Sequence, residues 1–171
     1  FISLLPSAKL NLEAEAHNAT QKVCDSIFFF SLIWSVGASI DESHWPTFDE
    51  MLREQIIASG ISFPGGGDVH DYYVDLPNKD FKPWKDVVPD FEYDVKTPFF
   101  SMLVPTVDTV RYSFVFERSV DVMKPVLFTG HSGVGKSVVI ADTMQKMVEK
   151  GGWSRVDISF SAQTSAKRTQ E

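Results

Sequence analysis

The sequence predicts an α/β fold in which a helical part is followed by the first βαβ unit of an incomplete parallel P-loop sheet. Residues 130–137 read Gly-His-Ser-Gly-Val-Gly-Lys-Ser, which matches the phosphate-binding pattern G-x-x-x-x-G-K-[ST]. A short apolar run at 126–128 precedes this pattern, and an amphipathic helix signal follows it. Two further segments with helical periodicity lie upstream, between residues 14 and 60. Together these observations indicate a helical unit joined to a P-loop unit.

Composition narrows the class of protein. The chain has 171 residues, of which 43% are hydrophobic and 23% charged, a balance typical of globular domains. Its net charge of −7 does not favour a nucleic-acid surface. The single cysteine, Cys24, excludes a disulfide within the chain and fits a reducing compartment such as the cytoplasm.

The first predicted helix runs from about Ala14 to Ser35 or Val36, and Gly37 is its expected stop. Its second half is apolar nearly all round, so we expect it to be covered on several sides. The apolar stretch 27–40 has 14 residues, whereas a membrane span needs about 20. The stretch is therefore interpreted as a buried helix, with no membrane partner.

A second helix is predicted to begin near Thr47 and to end at Gly60. Thr47 and Glu50 have the spacing of a capping box, in which each side chain accepts from the other's backbone N–H. Residues at helical spacing form one apolar face: Trp45, Phe48, Leu52 and Ile56.

Prolines and glycines break up residues 61–98, where Tyr72–Asp75 and Phe81–Trp84 could pair as a short hairpin. The aromatic residues of this region have two interpretations. They could form a platform on which bases stack, or they could pin a long connection onto the body of the protein. We favour the second interpretation because basic residues are sparse here.

A third helix is predicted to follow Thr106, its N-cap, with an apolar stripe of Val107, Val110 and Phe114. The helix after the P-loop should place Ile140, Met144, Met147 and Val148 on one face and end at Gly151-Gly152. Residues 156–160 alternate apolar and polar side chains, which predicts a strand.

The P-loop residues indicate how a phosphate would be held. Gly130, Gly133 and Gly135 allow positive φ, so that successive N–H groups can form a nest for an anion at a helix N-terminus. Lys136 supplies a positive charge for phosphate oxygens, and the Ser137 hydroxyl is a candidate Mg²⁺ ligand. These residue types predict binding of ATP or ADP with Mg²⁺.

Catalytic acids are not evident after the loop. P-loop ATPases hold Mg²⁺ with a further acidic residue at the end of a strand, and no such strand follows Ser137 in this sequence. Asp142, Glu149 and Asp157 are interpreted as surface charges. We therefore expect no catalytic residue in this segment and no ATP hydrolysis by it alone, and we expect it to be a piece of a larger polypeptide.

Four blocks carry a resemblance to a known family. Phe30–Gly37, Val104–Arg111, Gly130–Ser137 and Phe160–Ser165 occur in this order in dynein heavy chains, and the sequence most resembles the axonemal type. The resemblance covers about residues 25–171 and corresponds to the passage from the second to the third AAA+ module of the motor ring. The P-loop block alone is generic, and the other three blocks are more specific.

The resemblance implies a division of the chain. Residues 1–58 would be the C-terminal helical lid part of one AAA+ module. Residues 59–105 would connect the modules, and residues 106–171 would begin the large α/β subdomain of the next module. The segment Leu103–Thr106 would lie beside the adenine.

The implied nucleotide-binding residues are Leu103, Val104, Pro105, Thr106, Gly130, His131, Ser132, Gly133, Val134, Gly135, Lys136, Ser137 and Val138. His131 is given no catalytic role. The third module would bind ADP or ATP at a regulatory site.

The parent protein would be an ATP-hydrolysing microtubule motor in the cytoplasm and cytoskeleton, at the axoneme of a cilium. Its partners would be the rest of the heavy-chain ring, the microtubule and other axonemal dynein subunits. Three alternatives remain open: a structural fragment between modules with an empty P-loop, another AAA+ ATPase, or a small P-loop kinase. The kinase would need lid and acceptor-site residues, for which the chain has no room.

Overall fold

The computed structural model describes residues 16–91 and 103–170. Its helices and strands, in chain order, are α1 Ala16–Ser35, α2 Trp45–Ala58, β1 Tyr72–Asp75, β2 Asp80–Pro83, α3 Val107–Asp121, α4 Lys136–Lys150 and α5 Ala166–Gln170. The predicted helices and the predicted hairpin are therefore present, with small shifts at their ends. The predicted start of the first helix near Ala14 lies outside the described residues.

Helix α1 forms one side of the core. Its buried side chains recur every three or four residues: Val23, Ile27, Phe30 and Ile33. By length and composition alone, Gln21–Ser39 could also cross a membrane, but core helices of soluble proteins pass the same test. The prediction of cover on several sides is only partly met, because Phe28 on the opposite face is 54% exposed.

Gly37 lies just beyond α1, but for a different reason from the one predicted. Its φ is not positive, so it is not a left-handed helix stop. Instead it opens a 3-10 turn, Gly37–Ser39, where a Cβ would lie 2.7 Å from Phe48 Cε1 and 2.8 Å from His70 Nε2. Glycine is needed here because two buried rings approach the backbone.

Helix α2 begins two residues earlier than predicted. It starts at Trp45 with Pro46 in its first turn, so Thr47 lies inside the helix and the predicted capping box with Glu50 is wrong. Proline favours this position because its fixed φ suits a helix and its missing N–H costs nothing there. A 3-10 turn, Glu42–His44, precedes α2 and is capped by Asp41.

The end of α2 is as predicted. Gly60 has φ +78°, and its N–H donates to the Ile57 carbonyl at 2.9 Å, while the Ile61 N–H donates to the Ile56 carbonyl at 3.3 Å. These two bonds form a Schellman motif. Ile56 and Ile61 are both buried, so the turn also directs the chain back into the core.

Strands β1 and β2 form the predicted hairpin. They pair antiparallel, with Tyr72 opposite Pro83 and Asp75 opposite Asp80. The aromatic residues Tyr72, Phe81 and Trp84 are buried. A base-stacking platform needs exposed rings, so the structure supports the interpretation in which the aromatic side chains pin the connection to the core.

Trp84, directly after β2, joins the hairpin to two helices. It is 1% exposed, and its ring centroid lies 6.3 Å from that of Phe30 on α1 and 5.3 Å from that of Phe114 on α3. The predicted apolar stripe of α3 packs against the same core through Val107, Val110 and Phe114. The α1–α2–hairpin unit and α3 thus share one apolar core.

Arg53 on α2 organises the glycine-rich loop before the hairpin. Its guanidinium pairs with Asp49 at 2.7 Å and donates to the carbonyls of Pro64 at 2.5 Å and Gly67 at 2.7 Å. Asp49 in turn accepts from the Val69 N–H at 2.7 Å. One arginine fork therefore satisfies several backbone acceptors of a segment that has no ladder of its own.

We expect Arg53→Lys to lower the free energy of unfolding by about 2 kcal/mol, because an ammonium cannot reach the carboxylate and the loop carbonyls together. Urea denaturation followed by tryptophan fluorescence would measure the loss. Glu54→Gln, at the exposed neighbouring position, is the control and should change stability by less than about 0.5 kcal/mol. Equal stability of Arg53→Lys and wild type would contradict this role.

The βαβ unit is not confirmed. Helix α4 is present, but 126–128 and 156–160 have no strand structure, and β1–β2 is the only ladder within residues 16–91 and 103–170. Leu127, Val156 and Phe160 are 85%, 76% and 68% exposed. A parallel strand needs neighbouring strands to pair its N–H and C=O groups, and the described residues provide none for these segments.

The buried face of α4 agrees with the predicted one only at Met147. The buried residues are Val139, Thr143 and Met147, whereas Ile140, Met144 and Val148 are only partly buried. Helix α4 packs on α3 through this i, i+4, i+8 row, with a threonine at its centre. The prediction counted only apolar residues and was therefore rotated by one position.

Candidate functional site

The loop before α4 depends on glycines at three positions. Gly130, Gly133 and Gly135 have φ of 141°, 84° and 83°, a region that other residues rarely adopt. A Cβ on Gly133 or Gly135 would meet nothing within 4 Å, so backbone conformation rather than crowding requires these glycines. The chain then enters α4 at Lys136, with Gly135 as N-cap.

The loop presents free backbone donors. In the described part of the chain, no backbone acceptor is seen for the N–H groups of Gly133, Gly135, Lys136 and Ser137, whereas those of Val138 and Val139 both donate to the Gly135 carbonyl, at 3.1 and 3.0 Å. Unpaired amides beside the positive end of a helix dipole form an anion-binding site. The backbone therefore fits a phosphate group.

Lys136 places its charge on this loop. Its Nζ donates to the carbonyls of Gly130 at 2.9 Å and His131 at 2.5 Å. No carboxylate within residues 16–91 and 103–170 pairs with it, unlike Lys146 and Lys150 on the same helix. The ammonium is therefore not neutralised and can attract an anion.

Ser137 lies in the first turn of α4 with an exposed side chain. Among the described residues, no group of three or more His, Cys, Asp and Glu side chains could hold a metal ion. The donor set at the loop would suit a Mg²⁺ ion that keeps most of its shell as phosphate and water oxygens and takes one hydroxyl from the protein.

His131, Ser132 and Val134 are exposed loop residues. The pKa of Asp41 is below its usual value, chiefly because the Ser43 hydroxyl and N–H donate to its carboxylate, and the charges of His44 and His131 are smaller causes.

The second predicted part of the nucleotide site, Leu103–Thr106, lies at a groove separate from the phosphate loop. Leu103 and Pro105 line a groove of about 260 Å³ together with residues of α3 and α4, and no P-loop residue lines this groove. Val104 is exposed, and Thr106 is the predicted N-cap of α3, where its hydroxyl accepts from the Thr109 N–H at 3.2 Å. The phosphate loop and Leu103–Thr106, the two predicted parts of the nucleotide site, therefore do not line a common groove.

Side chains behind the loop were not foreseen from the sequence. Thr143 of α4 is 1% exposed, and its hydroxyl lies 2.8 Å from the Ser113 hydroxyl of α3. Near the other end of α4, Lys150 pairs with Glu117 of α3 at 3.0 Å. Helix α4, which carries the loop, is therefore fixed along its length to α3. The sequence did carry a signal for the Thr143 contact, because Thr143 is a small polar residue that lies at i, i+4 spacing between the apolar residues Val139 and Met147.

Two family models match the sequence. The model described as the dynein heavy chain AAA lid domain matches residues 1–86, and the model described as the P-loop containing dynein motor region matches residues 91–171. The second match includes the loop, α3 and α4.

Individual relatives agree with these models. The chain is 39% identical to dynein axonemal heavy chain 6 of Homo sapiens over 163 residues, which is 95% of this chain and 4% of that protein. It is 34% identical to dynein axonemal heavy chain 12 of Rattus norvegicus over 96% of this chain and 6% of the relative. It is 30% identical to the dynein alpha chain of the flagellar outer arm of Chlamydomonas reinhardtii, over 82% and 3%. The chain thus spans a small fraction of these relatives.

Proposed function

Because this chain belongs to the family of dynein heavy chains, whose P-loop modules have an AAA+ α/β fold, we propose that it is a nucleotide-binding segment of an axonemal motor ring. The observation that carries the proposal is the loop itself. Within the described residues, the amides of Gly133, Gly135, Lys136 and Ser137 are unpaired and no carboxylate pairs with the Lys136 ammonium, at the N-terminus of α4. ATP and ADP supply the matching polyphosphate.

Each loop residue has a proposed task. The amides of Gly133 and Gly135 bind phosphate oxygens, and Lys136 moves its ammonium from the loop carbonyls to the β- or γ-phosphate. Ser137 contributes its hydroxyl to Mg²⁺, which balances the phosphate charge when bound. His131, Ser132, Val134 and Val138 line the loop through their backbone. No residue of the segment is assigned a catalytic role.

The finer architecture belongs to the same proposal. Residues 1–58 are proposed as the lid part of one AAA+ module, 59–105 as the connection and 106–171 as the start of the next module. Within the last part, 126–128 and 156–160 would be strands of a βαβ unit once neighbouring strands cover their exposed apolar side chains. Leu103–Thr106 would contact the adenine.

The role in the parent protein follows from the family. The relatives are axonemal and flagellar dynein chains, so we place this chain within a heavy chain at the axoneme of a cilium. There it would contribute to microtubule-based motility, with the rest of the ring, other dynein subunits and the microtubule as partners. Its own nucleotide site is proposed to be regulatory, as the resemblance to the third module of the ring implies.

A titration of the full 171-residue chain with fluorescent ADP, with and without Mg²⁺, tests the proposal. We expect saturable binding that Mg²⁺ strengthens, and we expect Ser137→Ala to lose about tenfold in affinity in the presence of Mg²⁺ only. Ser154→Ala, an exposed serine outside the loop, is the control. A flat titration of the wild-type chain would favour the alternative of a structural fragment with an empty loop.

A further inference from the structure

Arg111 is a buried charge that the phosphate loop does not use. It lies on α3, is 6% exposed, and pairs through its two terminal nitrogens with carboxylates on different elements. One nitrogen lies 2.6 Å from Asp108 of α3 itself, and the other lies 3.9 Å from Asp71, just before β1. A buried guanidinium needs such partners to offset its lost hydration.

Aromatic rings complete the surroundings of Arg111. Its Cζ lies 5.5 Å from the ring centre of Trp45 on α2, 5.9 Å from that of Trp34 on α1 and 5.2 Å from that of Tyr112. These distances are within the range of cation–π attraction. The side chain of one α3 residue therefore contacts α1, α2 and the segment before the hairpin.

Helix α3 contacts both the α1–α2–hairpin unit and α4. Phe114 packs on Trp84 and completes the attachment to the first unit, whereas Ser113 and Glu117 meet Thr143 and Lys150 of α4. The phosphate loop lies at the N-terminus of α4. Helix α3 thus stands between the loop-bearing helix and the α1–α2–hairpin unit, and Arg111 is its polar anchor in that unit.

We propose that Arg111 is a positioning residue that couples nucleotide binding at the loop to the stability of the α1–α2–hairpin unit. The inference rests on the proposed function and adds the route of its regulation. Bound nucleotide restricts the loop and α4 to one conformation. The Ser113–Thr143 contact extends this restriction to α3. Arg111 then extends it to the α1–α2–hairpin unit through its contacts with Trp34, Trp45 and Asp71. Coupling between two sites is reciprocal, so it can be measured either as a change in nucleotide affinity at the loop or as a change in the stability of the α1–α2–hairpin unit.

Hydrogen exchange of the full chain at saturating Mg²⁺ and ADP tests the coupling. In the wild type we expect slower exchange at residues 130–138 and, at least about fivefold, at the amides of α2 and Val69–Asp71. In Arg111→Met the loop should keep its protection, while the ADP-dependent gain in α2 and Val69–Asp71 disappears. Asp121→Asn removes a charge at the C-terminal end of α3, where it pairs with Arg118 at 3.3 Å, and should retain both effects.

The outcomes separate the two proposals. If Arg111→Met keeps the ADP-dependent gain in α2, the coupling role is overturned while the loop function stands. If the wild-type loop itself gains no protection, the proposed function fails and the coupling with it. Should Arg111→Met unfold, Asp71→Asn removes only the charge that crosses between elements, and a smaller loss of the same gain is then expected; an unchanged gain would overturn the inference.

Discussion

Replacing Lys136 with alanine is expected to weaken ADP binding about 100-fold and to leave the fold intact. A charge-assisted hydrogen bond to a phosphate is worth up to about 3 kcal/mol, which corresponds to roughly two orders of magnitude in affinity. Among the described residues, Lys136 Nζ donates to the carbonyls of its own loop, at Gly130 and His131, so we expect its removal to leave the core unchanged. Calorimetric titration of the full chain would measure both the affinity and the binding enthalpy.

Lys146→Ala provides the matched control. It removes a lysine from the same helix, but this lysine pairs with Asp142 at 2.7 Å and its side chain is 61% exposed. Its affinity for ADP should stay within about twofold of wild type, since an exposed pair contributes little. Similar affinities for Lys136→Ala and Lys146→Ala would show that net charge, rather than the loop, governs binding.

Gly37→Val is expected to lower the free energy of unfolding of the α1–α2 unit by about 3 kcal/mol. Its Cβ alone would lie 2.7 Å from Phe48 Cε1 and 2.8 Å from His70 Nε2. Neither ring can move freely: Phe48 is 7% exposed, and His70 stacks on Trp45 with ring centres 4.2 Å apart while its Nδ1 meets Asp68. Overpacking a filled core costs about 1–3 kcal/mol for small insertions.

The comparison for Gly37→Val is Gly65→Val. Gly65 has neither a positive φ nor any atom within 4 Å of a built Cβ, so a larger side chain meets no obstacle there. Urea midpoints of the two variants and wild type would show a large shift for position 37 and a small one for position 65. Equal shifts would mean that loss of glycine flexibility, and not contact with the rings, determines stability.

Local signals predicted the elements that need no distant partner. The C-terminal end of α1, the Gly60 stop, the hairpin and the Thr106 cap all arise from residues close in sequence, and the structure has each of them. The loop glycines likewise adopt the positive φ that their pattern predicts. These features depend on backbone conformation and short-range hydrogen bonds, which neighbouring residues determine.

Features that depend on packing between elements were predicted less well. The start of α2 was misplaced for a local reason, because Pro46 and the preceding 3-10 turn outweighed the Thr47 capping pattern. The buried face of α4 was rotated because Thr143 finds a partner, Ser113, that is 30 residues away. Arg111 gave no signal at all, since a lone arginine on a helix is ordinarily a surface residue.

The contact between Trp84 and Phe114 has a practical consequence for dissecting the protein. The two family matches meet between residues 86 and 91, so the chain could be divided there to express the two parts separately. Division of the chain at this point would remove Phe114 from Trp84, which is 1% exposed in the structure. Both fragments would then expose aromatic surface that favours aggregation. Recombinant pieces designed for solubility should therefore retain α3 together with the residues that precede it.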